Sequence, residues 1–385
     1  MAKIKKIEAK EVISGFGLPT IAGRLVLDNG TEVTTIVPTN INNLPYRSAE
    51  VEDKDPSRYE GHGVTQAVSF INDLLGPKLV GVSPDKQFEV DGWLIKTDST
   101  KNKSKLGVNT IYTISTLIAK AAGLMAGTSL YTYLTALYEK RSDVKLSSKK
   151  IPTPIYSLSS NNQEVYIISS TSNPISQSLP VMIAVSSVFK KTYQVDSTSS
   201  IVDIIEGVIG TCDEKQYHFG KDVFLGINFL GKLKTDSFIK VIDNLTKKYL
   251  PLMIFDPISG DNFGDWHSLN DSLSKETYLV SDTLTLGNFD RIKKAISEKS
   301  CSSFILKPSE IGTITETIDL TNLIRKNNLS YIISSGDSET EDSFIADLSV
   351  GLQSEFVRFG PTLHSENISK YNRLMEIEKE LNLKS

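Results

Sequence analysis

The run SFILKPSEIGTITETIDLTNLIRKNNLSYIISSGDSETEDSFIADLS, residues 303–349, decides the fold. Ser303–Leu306 and Ser330–Ile333 are short, apolar and flanked by turn residues, the pattern of buried strands. Lys307 follows the first strand at once, and Ser334-Ser335-Gly336-Asp337 follows the second. Each loop then runs into a helical pattern. After the second loop, Ser338-Glu339-Thr340-Glu341 reads as a Ser-x-x-Glu capping box, opening a helix that carries Phe344, Ile345, Leu348 and Leu352. The acids Glu339, Glu341 and Asp342 read as charge placed favourably at that helix N-terminus. Strand, polar loop and helix, repeated, is the grammar of a β/α barrel.

The same unit repeats upstream. Val223–Asn228, Leu252–Phe255 and Thr277–Val280 read as strands, and Phe238, Val241, Ile242, Leu245 and Tyr249 as the stripe of a helix between the first two. The residues at or just past the strand ends, Asn228, Phe255, Asp282, Lys307 and Ser335, recur every 25–28 residues. That is one strand–helix unit each time, so the strands run parallel and their C-terminal ends converge on one mouth, where barrel active sites lie. Residues 1–140 read differently. Apolar and polar residues alternate over 3–37 around an Asp28-Asn29-Gly30 turn, an antiparallel hairpin signal. Helical spacing follows at 61–75 and 106–125, with Lys101, Lys103 and Lys105 between them as a solvated basic cluster. The stretch 139–150, EKRSDVKLSSKK, is the expected boundary. The expected fold class is α/β: a small α+β lobe over 1–140, then a TIM-like β/α barrel over 150–385.

Composition narrows the function. The chain has 385 residues, 39% hydrophobic and 23% charged, with net charge −4. That is ordinary for a soluble protein and argues against nucleic acid as the main partner. Two cysteines, Cys212 and Cys301, make no disulfide framework and suggest a reducing compartment. The charged start MAKIKKIEAKEV has no apolar core of a secretory signal, and no run of about 18 apolar residues is present to span a membrane. A cytoplasmic location is expected. His62, His218, His267 and His364 have no metal-ligand spacing.

Several stretches resemble the enolase family: DPSRYEGHGVTQAV (55–68), NKSKLGVNTIYTIS (102–115), ILKPSEIGTITET (305–317), SETEDSFIADL (338–348) and SKYNRLMEIEKEL (369–381). The resemblance implies an enolase-type barrel behind an α+β domain, magnesium-dependent dehydration of 2-phosphoglycerate, and a homodimer. It also implies roles for particular positions. Lys307 falls on the catalytic lysine and Glu164 on an acid of the family motif. Asp282 falls on one of three metal-holding carboxylates.

The other family positions are changed. The remaining two metal carboxylates fall on Asn228 and Phe255. Magnesium wants oxygen ligands in near-octahedral geometry, and phenylalanine supplies none. Strand alternation turns the neighbouring Asp256 to the opposite face. The family's His-Arg-Ser phosphate grip reads Ser335-Gly336-Asp337. Losing the arginine contact costs roughly 1.5–3 kcal/mol, and a carboxylate ~4 Å from phosphate adds about 4 kcal/mol of repulsion at an effective dielectric near 20. The lysine that grips the substrate carboxylate becomes Arg358, which keeps the charge and changes the shape. The segment 159–165 is too short for the family's histidine loop. The acid loop is echoed only by Gly210–Glu214, with Glu214 a candidate second acid. The mobile lid loop reads Thr39-Asn40-Ile41-Asn42-Asn43 and has lost its glycine.

The scaffold is legible while the chemistry is stripped. The expectation is a catalytically degenerate enolase-like pseudoenzyme that binds no magnesium and keeps a structural, scaffolding or partner-binding role, with a protein partner or self-assembly as its working state. The alternatives are an enolase-superfamily lyase acting on a non-phosphate substrate, for which Lys307, Glu164 and Asp282 remain at the mouth, and an active 2-phosphoglycerate dehydratase with rewired ligands. Lys307 itself reads equally as a retained base or as part of a structural segment.

Overall fold

Three antiparallel strands open the chain: β1 (Ile4–Ile13), β2 (Pro19–Leu27) and β3 (Glu32–Ile36), in the order β1-β2-β3. The expected hairpin turn sits between β2 and β3, with Gly30 at φ 85°. The computed structural model describes residues 2–41, 44–146, 150–158, 164–171, 173–192, 201–230, 238–259, 261–273 and 275–382. Against the sheet packs the helix Val108–Met125, buried along nearly its whole length. Asn109 ties it to the preceding segment, its amide bracketing the backbone N–H and C=O of Val51 at 3.2 and 3.1 Å. The helical pattern at 61–75 is interrupted, with an α-turn at Thr65–Ser69 giving way to a π-helical turn at Phe70–Leu75. Lys103 departs from the solvated reading: it is 8% exposed and reaches Glu316 at 2.9 Å. The helix Leu130–Ser142 extends into the first residues of the expected boundary stretch, after its last buried apolar residue, Tyr138.

Eight further strands close a barrel: β4 (Thr153–Ser157), β5 (Glu164–Ser169), β6 (Val223–Asn228), β7 (Met253–Phe255), β8 (Tyr278–Ser281), β9 (Ser303–Leu306), β10 (Ser330–Ser334) and β11 (Phe356–Arg358). The five strands read from the sequence, β6 to β10, are parallel neighbours in chain order. β5 is antiparallel to both β4 and β6, so its first residue, Glu164, stands at the same mouth as the last residues of the others. Ile155, Tyr166, Ile168, Met253, Phe255, Val280, Ile305, Ile332 and Phe356 fill the interior. They follow the two-residue period that sends alternate side chains inward.

The expected capping box after β10 is not formed. The helix begins at Phe344, five residues later than the motif suggests, and has no side-chain cap at Ser343. Ser338 is instead drawn into a backbone bridge with Thr39, and its hydroxyl meets that of Ser14 at 2.7 Å. Glu339 accepts from Gly336 N at 2.6 Å and pairs with Lys370 at 3.1 Å. Asp342 does serve the helix start, accepting from Phe344 N at 2.9 Å while pairing with Lys120 at 2.7 Å. Tertiary partners outbid the local cap because each offers a full charge or a backbone hydrogen bond.

Candidate functional site at the barrel mouth

Strand ends deliver the candidate residues to one cavity of about 500 Å³, lined among others by Glu164, Tyr166, Asn228, Asp256, Asp282, Lys307, Ser335, Gly336, Asp337 and Arg358. Lys307 directly follows β9 and precedes a single helical turn, Pro308–Ile311, which brings Glu310 back beside it. Its Nζ lies 3.6 Å from Asp282, 3.3 Å from Glu310 and 3.4 Å from Asp337. Arg358, at the end of β11, donates to Asp282 at 2.5 Å and to Ser334 Oγ at 3.1 Å. Across the barrel, Glu164 accepts from Tyr166 Oη and, at 2.8 Å, from the Asn228 amide.

From the N-terminal lobe comes Arg47, its side chain 4% exposed, donating to Glu310 at 3.0 Å and to Asp337 at 2.9 Å. Asp337 is therefore not a bare charge; Arg47 and Lys307 hold it. Burial works against every ion here, and neighbouring charges reverse it at most of them. Lys307 titrates above its usual range: burial opposes its charge, but Asp282, Glu310 and Asp337 outweigh burial. Asp282 is pushed down, since Lys307 and Arg358 overcome its burial. Asp337 is lowered in the same way by Lys307 and Arg47. Glu310 goes up, its burial exceeding the pull of Lys307 and Arg47.

Asp256 overturns the alternation argument. It follows β7 with φ 38°, a left-handed turn that swings its carboxylate to the cavity wall instead of the far face. Aspartate tolerates this region better than most residues. There its Oδ1 accepts from the backbone N–H groups of Asp282 and Thr283, both at 3.0 Å. Burial and then the charge of Asp282 push its pKa up. Phe255 is fully buried, points inward and meets the Tyr166 ring edge-on at 4.8 Å between centroids.

Two family models match the chain: the enolase N-terminal domain over residues 4–134 and the enolase C-terminal TIM barrel domain over 211–385. The chain belongs to the enolase family. It is 28% identical to the enolase of Ehrlichia canis over 99% of its own length and 97% of that protein, and 27% identical to that of Ehrlichia chaffeensis over the same shares. No helix among the described residues is long and apolar enough to cross a membrane.

As an enolase-family metal position, the donor set does not fit magnesium. Asn228 offers an amide oxygen already taken by Leu230 N at 3.0 Å, Phe255 offers a hydrocarbon ring, and Asp282 is bound to Arg358 and Lys307. Among the described residues, no three His, Cys, Asp or Glu side chains group as a metal centre. Glu214, the candidate second acid, lies exposed at the end of the helix Ile201–Glu214, before the start of β6 and so at the opposite end of the barrel. Asn42 and residues 159–163 lie outside the described residues.

Sequence reasoning missed four residues of this site. Tyr166 was readable, because it shares the inward register of Glu164 and Ile168. Glu310 had a weak signal in its three-residue spacing from Lys307 across a helix-starting proline. Asp256 was dismissed by a rule that a left-handed residue breaks. Arg47 left no local trace, since its partners lie more than 260 positions away.

Proposed function

We propose that this enolase-family chain is catalytically degenerate and serves through binding, as a scaffold or structural partner. The observation that carries the reading is the closed network at the mouth: Arg47, Lys307 and Arg358 are spent on Glu310, Asp337 and Asp282, while Phe255 and Asn228 occupy metal-carboxylate positions. To bind a phosphorylated substrate, these pairs would have to break. Breaking one buried pair costs about 3–5 kcal/mol. The working state in this reading is an assembly, either a homodimer or a complex with a protein partner, in the cytoplasm and with no resident magnesium. The lobes 1–140 and 150–385 act in it as two domains.

Calorimetric titration of magnesium into the purified protein, with and without 2-phosphoglycerate, tests the reading alongside a turnover assay. No saturable heat and no phosphoenolpyruvate product are expected. Product formation by the clean recombinant protein would overturn it. The second reading, a lyase of altered substrate, is favoured by Lys307, Glu164 and Asp282 still sharing one cavity; a defined activity lost in Lys307→Ala would establish it.

A further inference from the structure

Where the N-terminal lobe meets the barrel, the chain makes a turn that its own sequence opposes. Arg47 N donates to Leu44 O at 3.3 Å, closing a four-residue turn with Pro45 and Tyr46 at its centre. Proline at the first central position and a positive φ at the second mark a type II turn, whose second position favours glycine. Here that position holds Tyr46, at φ 71°. A bulky side chain is an outlier in the left-handed region and stays there only where its surroundings over-determine it.

Two neighbouring residues supply that hold, in different directions. Tyr46 meets the outer shoulder of the barrel while staying 53% exposed: the Arg291 guanidinium lies 4.2 Å from its ring centroid, and Asn288 Nδ2 donates to its carbonyl at 3.3 Å. Arg291 is fixed in turn by Asp261 and by the Leu284 carbonyl, each at 2.6 Å. Arg47 turns inward and meets Glu310 and Asp337 at 3.0 and 2.9 Å. Consecutive Cα atoms stand only ~3.8 Å apart, so neither contact shifts far without the other.

We infer that the Leu44–Arg47 turn is a strained latch that couples the outer shoulder of the barrel to its mouth. With Tyr46 on Arg291 the latch is closed, and Arg47 balances Glu310 and Asp337. When Tyr46 leaves Arg291, it relaxes out of the left-handed region and draws Arg47 off both carboxylates, which then keep Lys307 as their shared partner. The exposed ring makes the latch reachable. A partner whose aromatic or carboxylate group takes the place of Tyr46 on Arg291 shifts the population towards the open state and changes the charge of the mouth without entering it.

The test compares Tyr46→Ala with Tyr46→Gly in the full chain, with circular dichroism as the check on folding. Both variants lose the ring, but only alanine keeps the strain of a positive φ. Carbodiimide labelling read by mass spectrometry reports Glu310, whose side chain is 2% exposed in the closed state. Deuterium exchange reports the Arg47 amide. Both readouts should rise about fivefold in Tyr46→Ala and stay near parent values in Tyr46→Gly, where the turn is unstrained. Arg291→Ala removes the outer hold while leaving Arg47 and Lys307 to Glu310, and it should raise Glu310 labelling as Tyr46→Ala does. Adding Tyr46→Gly to Arg291→Ala should reverse that rise. Equal labelling in the alanine and glycine variants, or Glu310 labelling unchanged in Arg291→Ala, overturns the inference. None of these readouts depends on turnover, so the latch and the non-catalytic reading fail separately.

Discussion

Phe255 sits level with Asn228 on one side and Val280 on the other, and its ring closes the barrel interior beneath Tyr166. Phe255→Ala should therefore cost about 3–5 kcal/mol, the usual range for emptying a buried aromatic site. A lowered urea midpoint with an unchanged m-value would register this. Phe255→Glu should cost at least as much and restore no turnover, because Asp282 stays bound to Arg358 and Lys307. Glu50 makes a separate prediction. It accepts from Thr39 Oγ1 at 2.6 Å and Asn40 N at 3.1 Å, and burial followed by the nearby Glu52 and Glu310 lifts its pKa to about 8. Between the unfolded value near 4.5 and about 8, the folded state holds a proton that the unfolded chain has released. Stability therefore falls as pH rises through that window, by at most about 5 kcal/mol. Glu50→Gln should flatten this slope and raise the melting temperature at pH 8 relative to the parent; an unchanged pH profile would count against a neutral Glu50.

Pro38, Thr39 and Arg47 are tied to the loop after β10. Thr39 and Ser338 exchange backbone hydrogen bonds at 3.0 Å each way. Pro38 lies so close to Gly336 that a side chain there would crowd it at 3.0 Å. Arg47 then bolts the segment to Glu310 and Asp337. The sequence showed only that the lid had lost its glycine. The tertiary structure adds this set of cross-links, which no local pattern announces. Arg47→Gln leaves two buried carboxylates short of a partner and should destabilise the fold by about 3 kcal/mol. It should also speed deuterium exchange at the amides of Thr39 and Asn40. Exchange unchanged at both amides would mean that the backbone bridge alone holds the segment. The same competition explains the missing capping box: Ser338 and Glu341 fit the motif, yet Thr39 and Ser14 engage Ser338, and Gly336 and Lys370 hold the neighbouring Glu339.

Across the whole molecule, the Arg47 bonds and the Lys103–Glu316 pair join the N-terminal lobe to the barrel. Urea unfolding should accordingly show one transition by both tryptophan fluorescence and far-ultraviolet circular dichroism, with Arg47→Gln separating the two probes if the lobes then unfold apart. Sedimentation velocity on the same material tests the proposed assembly, for which a homodimer is the expected species. What the sequence determined by itself was the barrel, the hairpin lobe and the strand ends that meet at the mouth. Those follow from periodicity within about 30 residues of chain, where alternation and helical spacing are read directly. The tertiary structure alone decided the state of the mouth. Arg47 and Asp337 are separated by 290 positions, and Asp256 reaches the cavity only through a left-handed turn. Charge pairing acts through space, so which acid each cation holds was settled only when the strands closed.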